Sequence, residues 1–380
     1  MKKIQMVDLG SQYEKIQEEI DTAVLSVIRS CAYINGPEVK SFQSELESYL
    51  DVKHVIPCAN GTDALQIAMM ALGLKPGDEV ITADFTYVAT AEVIALLQLT
   101  PVLVDVDPNT FNIDVEAIKA AITPKTKAIV PVHLFGQAAP MEEIMAVAKE
   151  HNLFVIEDTA QAIGAEYTFS DGRTQKVGTI GDIGATSFFP SKNLGCYGDG
   201  GAIFTNNDTY ASNLRVIANH GQTRQYYHDE IGVNSRLDSI QAAILRIKLR
   251  HLDEYAAARN NAASFYDNAF KDVPEIQTPA RFDQSNHVFH QYTMILDGVD
   301  REALRTYLME KEVPAMIYYP VPLHLQKAYR DSRYNEGDFP VTEQLCESVI
   351  SLPMQTELDE EQLRHITESV KSYLKNNQQS

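Results

Sequence analysis

The sequence predicts an α/β fold, in which a mostly parallel sheet of seven strands is flanked by helices and followed by a smaller C-terminal α+β domain. Between residues 54 and 205, short β-prone apolar runs alternate with helical segments, which is typical of a parallel sheet. Beyond about residue 250 this alternation weakens. A chain of 380 residues, 44% hydrophobic and 22% charged, can form two domains of ordinary size. We therefore expect a large domain over residues 1–250 and a small domain over 251–380.

The individual elements follow from local periodicity. Residues 11–30 repeat apolar side chains at helical spacing, and a second helix starts at Gly36-Pro37 with Phe42, Leu46 and Leu50 on one face. The seven predicted strands cover residues 54–58, 79–82, 102–104, 128–132, 154–157, 185–189 and 202–205. Helices are predicted between them over residues 64–72, 88–97 and 141–150. The C-terminal part is predicted to contain helices over 251–270, 301–311 and 359–375, and strands over 291–296 and 314–319.

Charge and cysteine content exclude several classes of protein. The net charge of −20 argues against nucleic acid and anionic membrane surfaces as partners, because both need a basic footprint. The 4 cysteines are widely spaced and lack the spacing of a zinc site, so we expect no metal and a reducing compartment. The N-terminus lacks an apolar signal-peptide region, and no run approaches about 18 apolar residues. The sequence therefore predicts a cytoplasmic protein without a membrane span.

The first candidate for a functional site is the segment Asn60-Gly61-Thr62, between a predicted strand and a helix. In open α/β sheets, ligands bind beyond the carboxyl ends of the strands. Gly61 would let the backbone approach a phosphate, the helix N-terminus supplies free N–H groups, and Thr62 adds a hydroxyl. The alternative is a plain Asn-Gly turn with Thr62 as the N-cap.

The second candidate is Asp158, which ends an apolar strand. A carboxylate at such a position is desolvated and needs a partner, and a protonated pyridine nitrogen is one such partner. The alternative is an aspartate that caps a helix.

The third candidate is Lys192, which follows an apolar run and Pro190 and precedes a cluster of glycines. Desolvation disfavours the charged form of a lysine, and the neutral amine is a nucleophile toward carbonyl groups. On an extended strand, Ser187 would lie far enough from Lys192 for the two to contact opposite ends of one small cofactor. The alternative is a solvated lysine in a loop.

The fourth candidate is Phe85, an aromatic residue at a strand end that could stack on a planar ring. As an isolated aromatic it also fits the hydrophobic core. Together the candidates provide a phosphate cradle, a carboxylate for a ring nitrogen, a stacking aromatic and a carbonyl-reactive amine. This is the set of partners that pyridoxal 5'-phosphate (PLP) requires.

Motifs spread over nearly the whole chain carry a family resemblance. They are Ala59-Asn-Gly-Thr-Asp-Ala-Leu65, Gly77-Asp-Glu-Val80, Phe85-Thr-Tyr-Val-Ala-Thr90, Val132-His-Leu-Phe-Gly136, Glu157-Asp-Thr-Ala-Gln-Ala162, Ser187-Phe-Phe-Pro-Ser-Lys-Asn-Leu-Gly195, Gly198-Asp-Gly-Gly-Ala202, Asn234-Ser-Arg-Leu-Asp238 and Tyr319-Pro-Val-Pro-Leu-His324. As a set, they resemble the DegT/DnrJ/EryC1/StrS family of PLP-dependent sugar aminotransferases, which implies the architecture called fold type I. A Rossmann dehydrogenase is disfavoured, because no GxGxxG motif follows the first strand.

The resemblance assigns roles position by position. The matched residues are Lys192 for covalent attachment of PLP, Asp158 for the pyridine nitrogen, Gln161 for the ring hydroxyl, Gly61, Thr62 and Ser187 for the phosphate, and Phe85 for ring stacking. Asn234 matches a residue that reaches the phosphate of the neighbouring subunit's cofactor, which implies a homodimer with shared active sites. A subfamily of dehydratases has histidine at the lysine position, so Lys192 argues against dehydratase chemistry.

The resemblance also implies a class of substrate. The glycine-rich segment after Lys192 is similar to that of members that move an amino group from L-glutamate to 3-keto nucleotide sugars. The greatest similarity is to members that act on UDP-2-acetamido-2-deoxy-3-oxo-glucuronate in O-antigen biosynthesis. In these an arginine at the position of Arg236 and a His-Tyr pair at 318–319 hold the sugar acid. Here the pair is Tyr318-Tyr319, and Tyr318 cannot supply a cationic imidazole.

Several alternatives stay open at this point. Arg236 could bind a substrate carboxylate, or it could form a structural ion pair with Asp238 or another acid. The substrate could be a neutral 3-keto hexose, or a dTDP-linked 3-keto or 4-keto deoxyhexose. A further alternative is a non-catalytic PLP-fold binding protein, which the complete set of lysine, aspartate and glutamine disfavours.

Overall fold

The computed structural model of the protein describes residues 2–377. Its helices are α1 (Leu9–Ser30), α2 (Pro37–Leu50), α3 (Gly61–Ala71), α4 (Ala89–Leu96), α5 (Val115–Ala121), α6 (Met141–His151), α7 (Asp208–Ala218), α8 (Ser239–Leu249), α9 (Leu252–Phe270), α10 (Arg301–Glu310), α11 (Pro340–Ser348) and α12 (Glu360–Asn377). Its strands are β1 (His54–Cys58), β2 (Glu79–Ala83), β3 (Thr100–Val104), β4 (Thr126–Val130), β5 (Phe154–Asp158), β6 (Glu166–Thr168), β7 (Thr174–Lys176), β8 (Ile183–Ser187), β9 (Gly201–Thr205), β10 (Gln222–Arg224), β11 (Tyr227–His228), β12 (Ile276–Gln277), β13 (Tyr292–Leu296) and β14 (Val349–Leu352).

Seven of these strands form one sheet in the order β1-β9-β8-β5-β4-β2-β3. Strand β9 is antiparallel to both of its neighbours, and the other adjacent pairs are parallel. These are the seven strands that the sequence predicts, so the mostly parallel seven-stranded sheet is confirmed. Because parallel strands end at the same edge, the segments that follow β2, β4, β5 and β8 meet there.

Both faces of the sheet are buried. On one face, Val104, Ile129 and Val155 pack against α5 and α6. On the other face, Val130 and Ile156 pack against α3 and α7. Successive side chains of a strand point to opposite faces, so a strand covered on both faces has a continuous apolar run rather than an alternating pattern.

A second core lies in the C-terminal part, around the antiparallel sheet β12-β13-β14. Tyr266 of α9 packs on Tyr292 of β13 with ring centroids 4.8 Å apart, and both rings are fully buried. Leu304 of α10 and Ile366 of α12 belong to the same cluster, as does Ile4 from the N-terminal segment. The division of the chain between residues 250 and 251 stays a prediction.

The predicted strand over residues 314–319 is wrong. Only Met316 forms a β-bridge, with Ser351, and the rest of the segment has no strand partner. Pro314 has no N–H to donate to a ladder, and the segment then turns toward a cavity. The sequence also fails to predict α8, because most of its side chains are buried and it lacks the polar face that marks an amphipathic helix.

No helix within residues 2–377 is both long and apolar enough to cross a membrane. Across the same residues, the acidic, histidine and cysteine side chains do not group into a cluster that could hold a metal ion. All four cysteines are free thiols.

Candidate active site

A cavity of ≈ 710 Å³ opens at the carboxyl edge of the seven-stranded sheet. Most of the predicted site residues line it: Gly61, Thr62, Asp158, Gln161, Ser187, Lys192, Tyr318 and Tyr319. Phe85, Asn234 and Arg236 are not part of its lining.

One end of the cavity is the start of α3, which lies against the end of β8. Asn60 caps the helix, with its side-chain oxygen accepting a hydrogen bond from Asp63 N at 2.8 Å. A Cβ atom on Gly61 would lie only 2.6 Å from Ser187 Cβ, so only glycine allows this close approach. The first N–H groups of a helix have no partner within it, and here they lie beside two hydroxyls, those of Thr62 and Ser187. This end is therefore suited to a phosphate or another anion.

Asp158, the last residue of β5, also lines the cavity and is 6% exposed. Its Oδ2 accepts a hydrogen bond from Thr90 Oγ1 at 2.8 Å, and its Oδ1 accepts one from Ala160 N at 3.0 Å. Two donors leave a carboxylate with acceptor capacity for a further group.

The preceding residue, Glu157, is also buried but is fully engaged. It accepts hydrogen bonds from the backbone N–H groups of Gly178, Ile180 and Gly181 and contacts His133 Nε2 at 3.0 Å. Glu157 therefore fixes the end of β5, and Asp158 is the carboxylate that faces the cavity.

Lys192 lies in a turn, in which its N–H donates to Phe189 O at 2.8 Å. Strand β8 ends at Ser187, so the extended strand from Ser187 to Lys192 that the sequence suggested is wrong. Burial lowers the pKa of the Lys192 amine to about 8, and the charge of Asp158 opposes that shift. With this pKa roughly a tenth of the amine is neutral at pH 7, far more than for an exposed lysine, and the neutral amine can act as a nucleophile and a proton carrier.

Gln161 and Tyr319 form a connected pair on the cavity wall. Gln161 Oε1 accepts a hydrogen bond from Phe135 N at 2.8 Å, and its Nε2 donates to Tyr319 Oη at 3.1 Å. Burial raises the pKa of both Tyr319 and Tyr318, so the two phenols are neutral.

The structure separates the two aromatic residues of the Phe85-Thr-Tyr87 segment. Phe85 is 1% exposed and packs against the rings of Phe111 and Phe135. Tyr87 is 58% exposed and lines the cavity. Phe85 is thus a core residue, and Tyr87 is the aromatic of this segment that lines the cavity.

Asn234 and Arg236 lie outside the cavity of their own chain. Asn234 is exposed and forms a β-bridge with Asn219. Arg236 is partly buried, and its Nε has no hydrogen-bond partner. Within residues 2–377 it forms no ion pair with Asp238 or another acid, so the structural ion pair is not found.

His290 is a cavity residue that the sequence does not reveal. It is 6% exposed, and its Nδ1 has no hydrogen-bond partner. Burial, together with the charges of Lys192 and Arg259, holds the pKa of His290 well below its usual range, so its imidazole is neutral. His290 lies far from Lys192 in sequence, and no local motif marks it.

Comparison with known sequences gives a consistent result. Residues 14–371 match the model of the DegT/DnrJ/EryC1/StrS aminotransferase family. The chain is 47% identical to the UDP-2-acetamido-2-deoxy-3-oxo-D-glucuronate aminotransferase of Pseudomonas aeruginosa, over 94% of this chain and 96% of that protein. It is 46% identical to a pleiotropic regulatory protein of Geobacillus stearothermophilus (97% and 98% covered). It is 42% identical to the dTDP-3-amino-3,6-dideoxy-alpha-D-galactopyranose transaminase of Aneurinibacillus thermoaerophilus (97% and 99% covered).

Solved structures are also similar. DesV of S. venezuelae, in complex with a ketimine intermediate, superposes with a TM-score of 0.94 at 36% identity, over 98% of this chain and 99% of that one. NtdA of Bacillus subtilis, with the bound cofactor PMP, gives a TM-score of 0.87 at 31% identity, over 95% and 82%. The family match spans nearly the whole chain. The chain belongs to the DegT/DnrJ/EryC1/StrS aminotransferase family.

Proposed function

We propose that this protein is a PLP-dependent aminotransferase that moves an amino group from L-glutamate to a 3-keto nucleotide sugar. The preferred substrate is UDP-2-acetamido-3-oxo-glucuronate, as a step in the biosynthesis of an O-antigen or another surface polysaccharide. The observation that carries the proposal is a single cavity with Lys192 and Asp158 in it and the Gly61–Ser187 cradle at one end.

The residues present fit PLP. The close approach of Gly61 to Ser187 leaves the start of α3 open to a phosphate. Lys192 offers an amine whose pKa burial has lowered, and Asp158 offers a carboxylate with spare acceptor capacity. When bound, PLP supplies an electron-accepting ring that stabilises negative charge next to its aldehyde carbon.

The protein supplies position and proton transfer. Asp158, oriented by Thr90, would hold the proton on the pyridine nitrogen. Lys192 would bind PLP covalently and then, as a free amine, carry a proton between donor and cofactor carbons. Tyr87, rather than Phe85, is the residue we propose to stack on the ring, since it lines the cavity. Gln161 would exchange its contact with Tyr319 for the ring hydroxyl.

We propose a homodimer in which Asn234 and Arg236 complete the partner's site. Both residues lie outside the cavity of their own chain, which supports this arrangement. Tyr226 and Ile231, shortly before them, are 81% and 86% exposed, and Ile34, which bridges Asp238, is 51% exposed. Large exposed apolar side chains of this kind are typical of a protein interface.

The state of Arg236 favours a substrate with a carboxylate. Its Nε has no hydrogen-bond partner, and a guanidinium binds a carboxylate through two parallel hydrogen bonds. Tyr318 favours the second candidate, a neutral or dTDP-linked 3-keto sugar, because a phenol is a weaker partner than a cationic imidazole for an acid group. The free thiols of the cysteines fit a reducing compartment, and we propose a cytoplasmic location.

The test is a two-part assay of the purified protein. The protein should bind PLP with a visible absorbance band, lose that band on addition of L-glutamate, and regain it with a 3-keto nucleotide sugar. Mass spectrometry of products from UDP-linked and dTDP-linked 3-keto and 4-keto sugars identifies the substrate. Lys192→Ala should abolish both band and turnover, whereas Lys125→Ala, in an exposed turn, should change neither. PLP bound without any reaction with glutamate would overturn the proposal.

A further inference from the structure

A buried histidine–aspartate pair joins two distant segments near the cavity. Asp84 directly follows β2 and is 1% exposed, and His324 is 2% exposed. His324 N donates to Asp84 Oδ1 at 2.8 Å, and His324 Nδ1 lies 2.6 Å from Asp84 Oδ2. Leu323 N also donates to Asp84 O at 3.3 Å. Neither member of the pair lines the cavity.

The second ring nitrogen of His324 faces another acid. Its Nε2 lies 3.2 Å from Glu343 Oε1 on α11, within ion-pair distance but without the geometry of a hydrogen bond, and its ring packs against Phe339 with centroids 4.7 Å apart. Glu343 is held in turn by Gly337 N at 2.8 Å. The imidazole therefore lies between two carboxylates, one at the end of β2 and one on α11.

Both segments joined by this pair carry the aromatic wall of the cavity. Asp84 is followed within three residues by Tyr87, and residues 318–324 begin with Tyr318 and Tyr319. The ring of Tyr319 lies 6.3 Å from that of Tyr87. Only four residues separate Tyr319 from His324, and two of them, Pro320 and Pro322, have a fixed φ. A displacement of His324 is therefore expected to displace Tyr318 and Tyr319 as well.

We propose that His324 is a positioning residue that anchors residues 318–324 to Asp84 and so holds Tyr318 and Tyr319 against the cavity. It contacts no cavity atom itself and acts through the tyrosines. Buried polar groups are costly unless paired, and a ring that served only for packing would not need the buried carboxylate of Asp84 at 2.6 Å from its Nδ1.

The anchoring is tested by hydrogen–deuterium exchange in His324→Leu and His324→Asn. Leucine removes both polar contacts, whereas an asparagine amide still faces Asp84 but cannot reach Glu343. Exchange over residues 316–326 should rise in His324→Leu and rise less in His324→Asn. Tyr266→Phe is the control, since it removes one buried hydrogen bond, to Pro353 O, from the C-terminal core and should leave this segment unchanged. Unchanged exchange in both His324 variants would overturn the proposal; if His324→Leu does not fold, His324→Asn decides.

A kinetic measurement separates a positioning role of His324 from a general loss of stability. This measurement rests on the proposed function, because it needs turnover of the keto sugar. The KM for the keto sugar should rise about tenfold in His324→Leu, because roughly one charge-assisted hydrogen bond is lost. In His324→Asn the KM should rise less. The affinity for PLP should stay within about twofold, because the phosphate cradle is elsewhere. A KM equal to that of Tyr266→Phe would overturn the positioning role. The exchange measurement needs no substrate, so it stands even if the proposed reaction fails.

Discussion

Replacing Gly61 by alanine tests the phosphate cradle directly. The added methyl group would lie 2.6 Å from Ser187 Cβ and 3.2 Å from Ser187 Cα. Carbon atoms in contact are normally about 3.5–4.0 Å apart, so the start of α3 and the end of β8 must move apart by roughly 1 Å. Because the obstacle includes backbone and not the tip of a flexible side chain, a change of rotamer cannot relieve it.

The structure sets the size of the effect. Overpacking of this kind costs about 1–3 kcal/mol, and alanine in place of helical glycine offsets about 0.5–1 kcal/mol of that. We expect a net loss of between roughly 0 and 2.5 kcal/mol in the free energy of unfolding. A displaced cradle should also lose one hydrogen bond to a charged phosphate, about 1.5–3 kcal/mol, which is roughly a 10- to 150-fold weaker Kd for PLP.

The assay compares two ligands and two variants by absorbance titration of the apoenzyme. PLP should bind Gly61→Ala more weakly, while pyridoxal, which lacks the phosphate, should bind wild type and variant within about threefold of each other. Gly10→Ala is the matched control, because Gly10 also lies in the first turn of a helix and its new methyl group would meet only Asp8 Oδ1, at 3.6 Å. Equal losses for PLP and pyridoxal, or no loss for either, would refute the assignment of this end to the phosphate.

Three further predictions concern single side chains. Because burial lowers the pKa of Lys192 to about 8, about half of the amine is neutral at that pH and nearly all of it one pH unit higher, so uptake of PLP by the apoenzyme should accelerate through pH ~8 and level off above pH ~9; a profile that is flat from about pH 6 to 9 would contradict this. Glu157→Gln should lower the free energy of unfolding by about 2–4 kcal/mol in chemical denaturation, because its amide NH₂ would face backbone N–H donors. Tyr87→Leu should weaken PLP binding about tenfold and shift its absorbance maximum, whereas Phe85→Leu should mainly lower the melting temperature; the opposite pattern would return the stacking role to Phe85.

The sequence is sufficient for the sheet and for most of the cavity. Each of the seven strands is a short β-prone apolar run, and such runs are recognisable one at a time. Asp158 and Gly61 could then be placed together, because residues that follow parallel strands meet at one edge. Lys192 follows the same rule, although its turn, in place of an extended strand, could not be seen from composition.

The residues that the sequence misplaces depend on distant contacts. Phe85 and Tyr87 are both aromatic and follow the same strand, and no regular alternation continues beyond its end. Phe85 is in the core because the rings of Phe111 and Phe135 cover it. His290 reaches the cavity from the C-terminal part, about 100 residues beyond Lys192. No local sequence pattern distinguishes Phe85 from Tyr87, and none marks His290 as a cavity residue.

Hydrogen-bond capacity separates the functional carboxylate from the structural one beside it. Glu157 and Asp158 are adjacent, both buried, and point to opposite faces of the sheet. A carboxylate can accept about four hydrogen bonds; Glu157 has its acceptor sites filled by three backbone N–H groups and a histidine, whereas Asp158 accepts from only two donors. Burial alone would therefore identify both residues as candidates for the functional carboxylate, but only Asp158 has acceptor capacity left for a further group. An unmade hydrogen bond is not sufficient by itself, since buried atoms away from the cavity, such as Arg259 Nε and Arg301 Nε, also lack a partner; within the cavity lining, His290 Nδ1 meets the same criterion as Asp158.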